Sequence, residues 1–595
     1  MKKIKFLYLI IFLASFGCAD DMLDRKPLDI MTEDVVWNDK ALVEAKLYGI
    51  YQKTPFLFND QTDLPNSWTN FQWIVLQYYE HFLGCEGFNT GWGPRGLVRD
   101  MELGKLQSDG GLLEWWEEGY ALVRNTNDFI DRVSASTALD AAFKNQRIAE
   151  VRFMRAFAYF TMVKRYGGIP LITKTTQLGD SEEVLYPKRD KEEDIYNFIL
   201  SECDAIAADL PETYAANDYG RPTKYAALAL KSRAAMYAAS IAQWGTVQLD
   251  GVVGIPSAKA ESLWQASYNA SKAIMDAGTF QLFNKYPEDK AKNYQSIWLE
   301  ERNVETIFAK QYTGVGGVGG NWDAMQAPRR WNPIGEGQAT VPYLETIDEY
   351  ENIDGTSGKL DREEIKTRLY TMDELWGKKD PRFHASIYTQ ESPWFGEPLQ
   401  FYRGILDENG NLVTTGAVDG KSWVGADNRG QGRPWGVKKF LNPELRLTRW
   451  NEVGDTDWIL FRYAEILLNF AEAAFELDKP GEALDAVNQI RTRAGIPELS
   501  AITRDAIRHE RKVEMKFELH RYWDLRRYRT AVTELTGHFS SFNLNLDITT
   551  GKYRVELVEK VRGNTPPTFY EKNYYFPITP RRIANNTNLV ENPGY

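Results

Sequence analysis

Two segments of this chain have a helical pattern that is apolar around nearly the whole circumference. Residues 150–166 (EVRFMRAFAYFTMVKRY) are interrupted by Arg152, Arg155 and Lys164. Residues 458–477 (WILFRYAEILLNFAEAAFEL) have a similar composition. A helix without a continuous polar face has to be surrounded by other helices. The chain is therefore predicted to build its core from packed helices.

Further helices are predicted beside these two, and they are arranged in pairs. Leu467, Ala471 and Ala483 lie where a 34-residue helix–turn–helix repeat places a large residue and then small ones. The fold class predicted is mostly α, with a tetratricopeptide-like helix–turn–helix scaffold. The additional helical segments are 191–210, 223–242, 263–277 and 482–494.

A long segment between the helical regions, residues 280–457, has a different composition. Glycine, proline, asparagine and aromatic residues replace the helical period there, and alternating fragments such as 383–388 predict short strands. A similar irregular segment covers residues 53–111. Irregular segments of this length in compact proteins usually carry function. We therefore predict an irregular loop and short-strand subdomain next to the scaffold.

The N-terminus has the order of features of a bacterial export signal. Lys2, Lys3 and Lys5 precede an apolar run of residues 6–16, which is too short to span a bilayer. Residues 14–18 (ASFGC) resemble a lipobox, so Cys18 is predicted to be the acylated first residue of the mature protein. A secreted protein with an incidental Cys18 is the alternative.

Charge and cysteine content exclude several classes of protein. The net charge of −12 argues against nucleic acid, whose phosphates would be repelled. Cys85 and Cys203 either pair or are buried thiols, and two such cysteines do not form a disulfide framework. The five histidines match no zinc motif. We expect no metal and no cofactor.

Tryptophans in the irregular segments are the best chemical clue to a binding site. The C–H faces of sugars pack on flat rings, while their hydroxyl groups need amide and guanidinium partners, as in pockets with apolar walls and a few polar groups. The alternative is that these rings attach the loops to the helices. The predicted ligand-binding residues are Trp68, Trp73, Asn89, Trp92, Arg95, Trp322 and Trp331.

Three other patterns favour structure over chemistry. The charged block 504–529, with nine Lys/Arg and five Asp/Glu, is predicted to be a solvated helix with ion pairs such as those of Glu510, Glu514 and Glu518 with Arg511 and Arg521. The glycine run 314–320 lacks the Lys-Ser/Thr ending of a phosphate loop. The segment around Asn352 and Asp354 is interpreted as a turn, with an irregular calcium site as the alternative.

Several sequence blocks follow one another in a recognisable order. They are 115–128 (WWEEGYALVRNTND), 149–171 (AEVRFMRAFAYFTMVKRYGGIPL), 220–237, 264–282, 380–388, 462–472, 507–528 (IRHERKVEMKFELHRYWDLRRY) and 577–595. In this order they resemble the SusD/RagB family of outer-membrane nutrient-binding lipoproteins. Residue Leu519 departs from the family, in which a glycine is common at this position.

This resemblance implies a lipoprotein on the outer face of the cell outer membrane. Such a protein caps a SusC-like TonB-dependent transporter, captures a glycan or a peptide, and is not an enzyme. The implied division is a signal peptide at 1–17, a helical region with ligand loops at 18–280, an irregular subdomain at 281–457 and a C-terminal helical region at 458–595. An oligopeptide-binding member, an all-α surface glycosidase and a protein-scaffolding lipoprotein are the alternatives. The sequence does not identify the glycan.

Overall fold

The computed structural model describes residues 33–56, 82–89, 95–106, 113–314, 322–331, 337–428, 433–446 and 454–595. The predicted signal with Cys18, and also Trp68, Trp73 and Trp92, lie outside these residues. The helices in the described ranges are α1 (Glu33–Asn38), α2 (Lys40–Lys53), α3 (Arg95–Glu102), α4 (Trp116–Ala135), α5 (Ala141–Tyr166), α6 (Glu182–Leu185), α7 (Glu192–Ile206), α8 (Lys224–Trp244), α9 (Ala260–Asp276), α10 (Lys290–Leu299), α11 (Trp322–Gln326), α12 (Leu344–Asp348), α13 (Met372–Trp376), α14 (Pro381–Ser386), α15 (Tyr463–Glu476), α16 (Pro480–Ala494), α17 (Arg504–Glu514), α18 (Arg521–Arg527), α19 (Ala531–Glu534) and α20 (Pro580–Asn585).

The strands are short and most of them lie in the predicted irregular region. They are β1 (Gly87–Asn89), β2 (Thr306–Lys310), β3 (Thr340–Pro342), β4 (Leu369–Tyr370), β5 (Ile387–Thr389), β6 (Pro393–Trp394), β7 (Glu397–Pro398), β8 (Gly404–Leu406), β9 (Leu412–Val413), β10 (Ala417–Val418), β11 (Lys421–Ser422), β12 (Trp435–Val437), β13 (Trp458–Arg462), β14 (Ser541–Asp547) and β15 (Tyr553–Val558).

The long helices form one continuous stack. Helix α4 packs on α5, α5 on α7, α7 on α8 and α8 on α9, and the series continues from α9 to α15 and from α15 to α16 and α17. Packing of each helix on its neighbours in a series is the organisation of helical-repeat proteins. The prediction of a mostly α, tetratricopeptide-like scaffold with a loop and short-strand region is confirmed.

The irregular region is inserted between two helices of this stack, and we call it the excursion. Helix α9 ends at Asp276 and α15 begins at Tyr463, yet the two pack directly against each other. Small polar residues allow this close contact. The hydroxyl oxygen of Ser232 in α8 lies 2.7 Å from that of Ser271 in α9, and the Asn469 amide of α15 donates to the Ser232 hydroxyl at 3.0 Å. The chain therefore leaves the stack after one helix and returns at the next.

Two local predictions about helix and strand positions are wrong. The segment predicted as a helix from Trp458 begins with strand β13, which pairs antiparallel with β2, and the helix starts only at Tyr463. Large apolar residues favour a strand as much as a buried helix, so the presence of a partner strand decides. Most of the fragment 383–388 is not a strand, because Pro381–Ser386 form α14 and β5 begins at Ile387.

A five-stranded sheet joins the irregular region to the C-terminal region. Its order is β4-β15-β14-β8-β9, in which β14 and β8 are parallel and the other pairs are antiparallel. The hairpin of β14 and β15 follows the stack in sequence, while β4, β8 and β9 belong to the excursion. This sheet therefore holds the excursion against the end of the chain.

Most of the charged block 504–529 is buried, which contradicts the prediction of a solvated helix. Arg462 donates to Glu305 at 2.8 Å, to Glu514 at 2.7 Å and to Glu518 at 2.6 Å. Arg382 reaches Glu510 at 2.6 Å. We call this set the buried ion network, and its members are Glu305, Asp380, Arg382, Lys439, Arg462, Arg491, Arg493, Glu510, Glu514 and Glu518.

The partners in the buried ion network come from different elements of the chain. The carboxylates of Glu510, Glu514 and Glu518 pair with cations from α14, α16 and β13 and from the loop after β12, rather than with Arg511 and Arg521. Burial would raise the pKa of Glu514, but the neighbouring guanidinium groups outweigh it and hold that pKa well below its ordinary value. Burial lowers the pKa of Lys439 to about 8 despite Glu518.

A second set of buried ionic contacts involves Arg511, Asp524, Arg527 and Glu472. Arg527 donates to Glu472 at 2.5 Å and to Asp524 at 2.8 Å, and Asp524 also accepts from Arg511 at 2.9 Å. Burial, together with nearby cations, lowers the pKa of His520 well below its ordinary value. The residues that the sequence assigned to solvent therefore connect the helix stack to the irregular region.

Leu519 has a backbone conformation that explains the family's glycine. Its φ is 64°, in the left-handed region that residues with a Cβ rarely adopt, and Phe517 has the same φ. Glycine adopts this conformation without a steric penalty. A leucine in place of glycine at position 519 therefore introduces local backbone strain.

The two described cysteines do not form a disulfide. Cys85 and Cys203 are free and buried, and burial raises the pKa of both thiols. Across the residues that the structure describes, none of the helices combines the length and the apolar character needed to cross a bilayer.

Candidate functional site

The predicted site residues occupy very different environments. Trp322 begins α11 and is only 5% exposed. Its indole N–H donates to the Lys439 carbonyl at 2.8 Å, and its ring meets Phe440 edge-on at 5.2 Å. This environment corresponds to the alternative in which a tryptophan attaches a loop to the core.

For two other predicted site residues, Asn89 and Arg95, the structure gives the position of the backbone. Asn89 ends β1, where it is paired with Thr340 of β3, and Arg95 is the first residue of α3. Trp68, Trp73 and Trp92 lie outside the described residues, so the structure does not address their roles.

Trp331 is half-buried on the surface of the irregular region. Its ring centroid lies 5.3 Å from that of Phe395. The Arg330 guanidinium lies 4.5 Å from the Trp331 centroid and that of Arg446 lies 5.8 Å away. We call these four residues the Trp331 platform. Cations within about 6 Å of an indole face interact favourably with it.

Arg330 is held in place by carboxylates from the loops beside it. It donates to Asp427 at 3.2 Å and to Glu397 at 3.0 Å. Asp427 is buried and also accepts the backbone N–H of Gln400 at 2.7 Å. Burial raises the pKa of Asp427 above its ordinary value. The guanidinium therefore has a fixed position beside the ring, while 24% of its side chain stays exposed.

A cleft of about 950 Å³ adjoins the platform and was not foreseen from the sequence. Its lining includes Pro398, whose carbonyl Arg330 approaches at 3.5 Å. Ligand sites commonly have volumes of about 300 to 1,000 Å³. Trp423 lines this cleft, and its position in a glycine-rich, aromatic stretch was the only sequence signal that could have indicated it.

Two carboxyl groups near the irregular loops have raised pKa values. Burial raises the pKa of Asp323 to about 7, although it accepts the Asn442 N–H. Burial likewise raises the pKa of Asp457 to about 7, although it accepts the Tyr312 N–H. Both carboxyl groups therefore accept hydrogen bonds from the backbone of neighbouring segments. Such an environment is typical of a structural role.

The Asn352 segment is an ordinary turn in the structure. Asp354 accepts both the backbone N–H and the hydroxyl of Thr356, and Asn352 donates to the Ser357 carbonyl at 3.0 Å. The polar atoms of the turn therefore bond to each other. Within the described residues, no group of three or more acidic, histidine or cysteine side chains is arranged to hold a metal ion.

The fold and the site together define a helical-repeat protein that carries a polar aromatic surface on an inserted region. The family model described as "SusD family" matches residues 304–595. A second family model, described as "Starch-binding associating with outer membrane", matches residues 25–236. The chain belongs to the SusD family.

Individual relatives agree with this assignment over most of the chain. A SusD-like protein of Bacteroides ovatus is 23% identical over 529 residues, covering 86% of this chain and 79% of the relative. The starch-binding protein SusD of Bacteroides thetaiotaomicron is 27% identical over 486 residues, covering 79% and 76%.

Solved structures of similar proteins share the fold. A SusD-like protein of Bacteroides fragilis superposes with a TM-score of 0.71 at 24% identity, covering 96% of this chain and all of the other. A surface glycan-binding protein A of Bacteroides uniformis gives a TM-score of 0.61 at 17% identity, covering 93% and 99%.

Proposed function

We propose that this chain is a non-catalytic cell-surface lipoprotein that binds a glycan and delivers it to a SusC-like TonB-dependent outer-membrane transporter. The lipid anchor would be attached to Cys18 and the protein would face the cell exterior. Membership of the SusD family supports the proposal, because one matching family model is described as starch-binding and associated with the outer membrane. The domain division at 17, 280 and 457 forms part of the same proposal.

The Trp331 platform is the observation that carries the glycan proposal. The indole of Trp331 stays partly exposed for contact with the C–H surface of a sugar ring, and Arg330 and Arg446 beside it offer N–H donors for the hydroxyl groups of the sugar. Because Asp427 and Glu397 already hold Arg330, little side-chain entropy remains to be lost on binding. We include Trp68, Trp73, Asn89, Trp92 and Arg95 as further proposed ligand contacts.

Affinity gels that contain a panel of polysaccharides test this proposal. Retardation of the wild type on at least one polysaccharide, and loss of most of that retardation in Trp331→Ala, would support it. Trp37→Ala is a matched control, because Trp37 is also half-buried but lies in α1 beside Phe129. Equal retardation of the Trp331→Ala protein and the wild type would exclude the platform as the main site.

The same binding experiments distinguish the proposed function from the alternative functions. Release of new reducing ends from the retained polysaccharide would favour a surface glycosidase. Retention on immobilised peptides and on no polysaccharide would favour an oligopeptide-binding member. For the anchor, labelled palmitate should attach to the wild type and not to Cys18→Ser.

A further inference from the structure

The segments that line the cleft beside the Trp331 platform are held in place by a tight turn and by hydrogen bonds. One wall begins with the hairpin of β10 and β11, whose turn residues Asp419 and Gly420 have φ values of 48° and 75°. Positive φ at both positions is the type I′ turn that matches the twist of a two-residue hairpin. The hairpin leads directly into Trp423, whose backbone N–H donates to the Gly416 carbonyl at 3.1 Å.

The segment after Trp423 is fastened to the neighbouring chain. Gly425 donates to the Tyr402 carbonyl and Asp427 to the Gln400 carbonyl, each at 2.9 Å. A Cβ on Gly425 would lie 2.3 Å from the Gln400 carbonyl oxygen, so only glycine allows this approach. The side chain of Asn428 donates to the Phe401 carbonyl at 2.8 Å. The wall is thus held by several bonds along its length.

The opposite wall is a chain of side-chain hydrogen bonds. Gln390 is buried and donates to the Tyr553 hydroxyl at 2.9 Å, and that hydroxyl donates to Glu391 at 2.7 Å. The remaining amide oxygen of Gln390 accepts the Phe401 N–H at 2.5 Å. Both the nitrogen and the oxygen of the Gln390 amide are therefore hydrogen-bonded, and these bonds position Tyr553 and, through it, Glu391.

Several groups in the cleft are available to a ligand. Among the residues that the structure describes, the indole N–H of Trp423 and the side-chain amide of Gln400 have no hydrogen-bond partner. The Trp423 ring is half-buried, since it packs against the hydrophobic core and also lines the cleft. Glu391 and Lys421 are the acid and the base in the lining, so the charges of the cleft are balanced.

We infer that this cleft is a second carbohydrate site that takes a short segment of a neutral oligosaccharide. A partly exposed indole, amide groups and one carboxylate suit hydroxyl-bearing rings. The balanced charge of the lining gives an acidic sugar or an acidic peptide no net attraction. The inference rests on the proposed glycan-binding function and adds a site and a substrate class to it.

Calorimetric titration of the full chain with neutral hexasaccharides of glucose, xylose and mannose, and with an acidic oligogalacturonate, tests the inference. In Trp423→Ala, the affinity of one neutral-sugar binding event should fall at least tenfold, while the event that depends on Trp331 persists. Tyr553→Phe should weaken the same event by a smaller factor, since it removes only the hydroxyl group that orients Glu391. Trp37→Ala is the matched control, and thermal melting confirms that each variant is folded.

The outcomes separate this inference from the proposed function. If Trp423→Ala binds every neutral sugar like the wild type while Trp331→Ala loses retention on the gels, the cleft site is overturned and the proposed function stands. A preference of the Trp423-dependent event for the oligogalacturonate would overturn the neutral class. If the wild type binds no saccharide on either the gels or the calorimeter, both proposals are overturned.

Discussion

Arg462 in the buried ion network and Arg330 in the Trp331 platform carry the same guanidinium group in opposite surroundings. The Arg462 side chain is 1% exposed and its N–H groups are divided among Glu305, Glu514 and Glu518. The side chain of Arg330 is 24% exposed, and two carboxylates hold it beside a ring.

Tryptophans show the same contrast between a buried and a surface position. Trp435 is fully buried, and its N–H donates to the Pro342 carbonyl at 2.8 Å. The ring of Trp331 is half-buried at the surface. A residue type therefore reveals its role only through its burial and partners. Arg462 and Trp435 are buried among their partners, while Arg330 and Trp331 are held by neighbouring groups and stay partly exposed.

The largest expected effect comes from breaking the buried ion network. We expect Arg462→Ala to lower the free energy of unfolding by about 3 to 5 kcal/mol, because it leaves carboxylates buried without a counter-charge. Urea unfolding measures this. Lys272→Ala is the control, since its pair with Asp276 is solvent-exposed and should contribute less than about 0.5 kcal/mol. Similar losses in both variants would contradict the distinction between the two kinds of ion pair.

A similar contrast should separate the two kinds of tryptophan. Trp435→Ala should lower the free energy of unfolding by roughly 3 to 5 kcal/mol, because it leaves a cavity in the core. Trp331→Ala should change it by less than about 1 kcal/mol while reducing glycan retention. Thermal or urea unfolding of both variants measures the difference. A large loss of stability in Trp331→Ala would mean that this ring is structural.

Glu514 in the buried ion network and Asp323 in α11 should make the stability of the protein respond to pH in opposite directions. The pKa of Glu514 is lowered in the folded protein, so its contribution to stability is present above its unfolded pKa of about 4.3 and is lost as the pH falls. The pKa of Asp323 is raised to about 7, so its contribution is present below about 3.9 and is lost as the pH rises through 7.

Asp323→Asn tests this opposition. An asparagine can still accept the Asn442 N–H through its amide oxygen and cannot ionise. The variant should therefore lose less stability than the wild type between pH 4 and pH 8, by roughly 2 kcal/mol or more. Urea unfolding across that range measures it, with Glu514→Gln as the comparison at low pH. Parallel curves for Asp323→Asn and the wild type would show that this carboxyl does not titrate in that range.

The smallest expected effect concerns the strained residue beside the buried ion network. Leu519→Gly should change the free energy of unfolding by no more than about 1 kcal/mol, because relief of a left-handed conformation, worth about 1 to 2 kcal/mol, offsets the loss of a half-buried side chain. Phe517→Gly removes the same strain but also a fully buried ring, so it should destabilise by about 3 kcal/mol or more. Equal effects would contradict this prediction, because the two residues share the strained φ and differ in how deeply their side chains are buried.

The sequence by itself determined the helix stack. Apolar residues on all sides of 150–166 required a buried helix, and Asp140 and Thr223 cap α5 and α8 by accepting backbone N–H groups three residues ahead. Gly167, with a φ of 75°, ends α5 where the glycine signal is. These features act within a few residues, so a local pattern contains the information.

Tertiary structure alone decided where the charged block lies and which strands and rings meet. Charges spaced three and four residues apart look the same on a solvated helix as in the core, and Arg382, which pairs with Glu510, is 128 residues away in sequence. The cleft likewise needs Gln390, Trp423 and Tyr553 from three separate segments. Burial and pairing across such separations depend on the packing of the whole chain, which short-range periodicity does not encode.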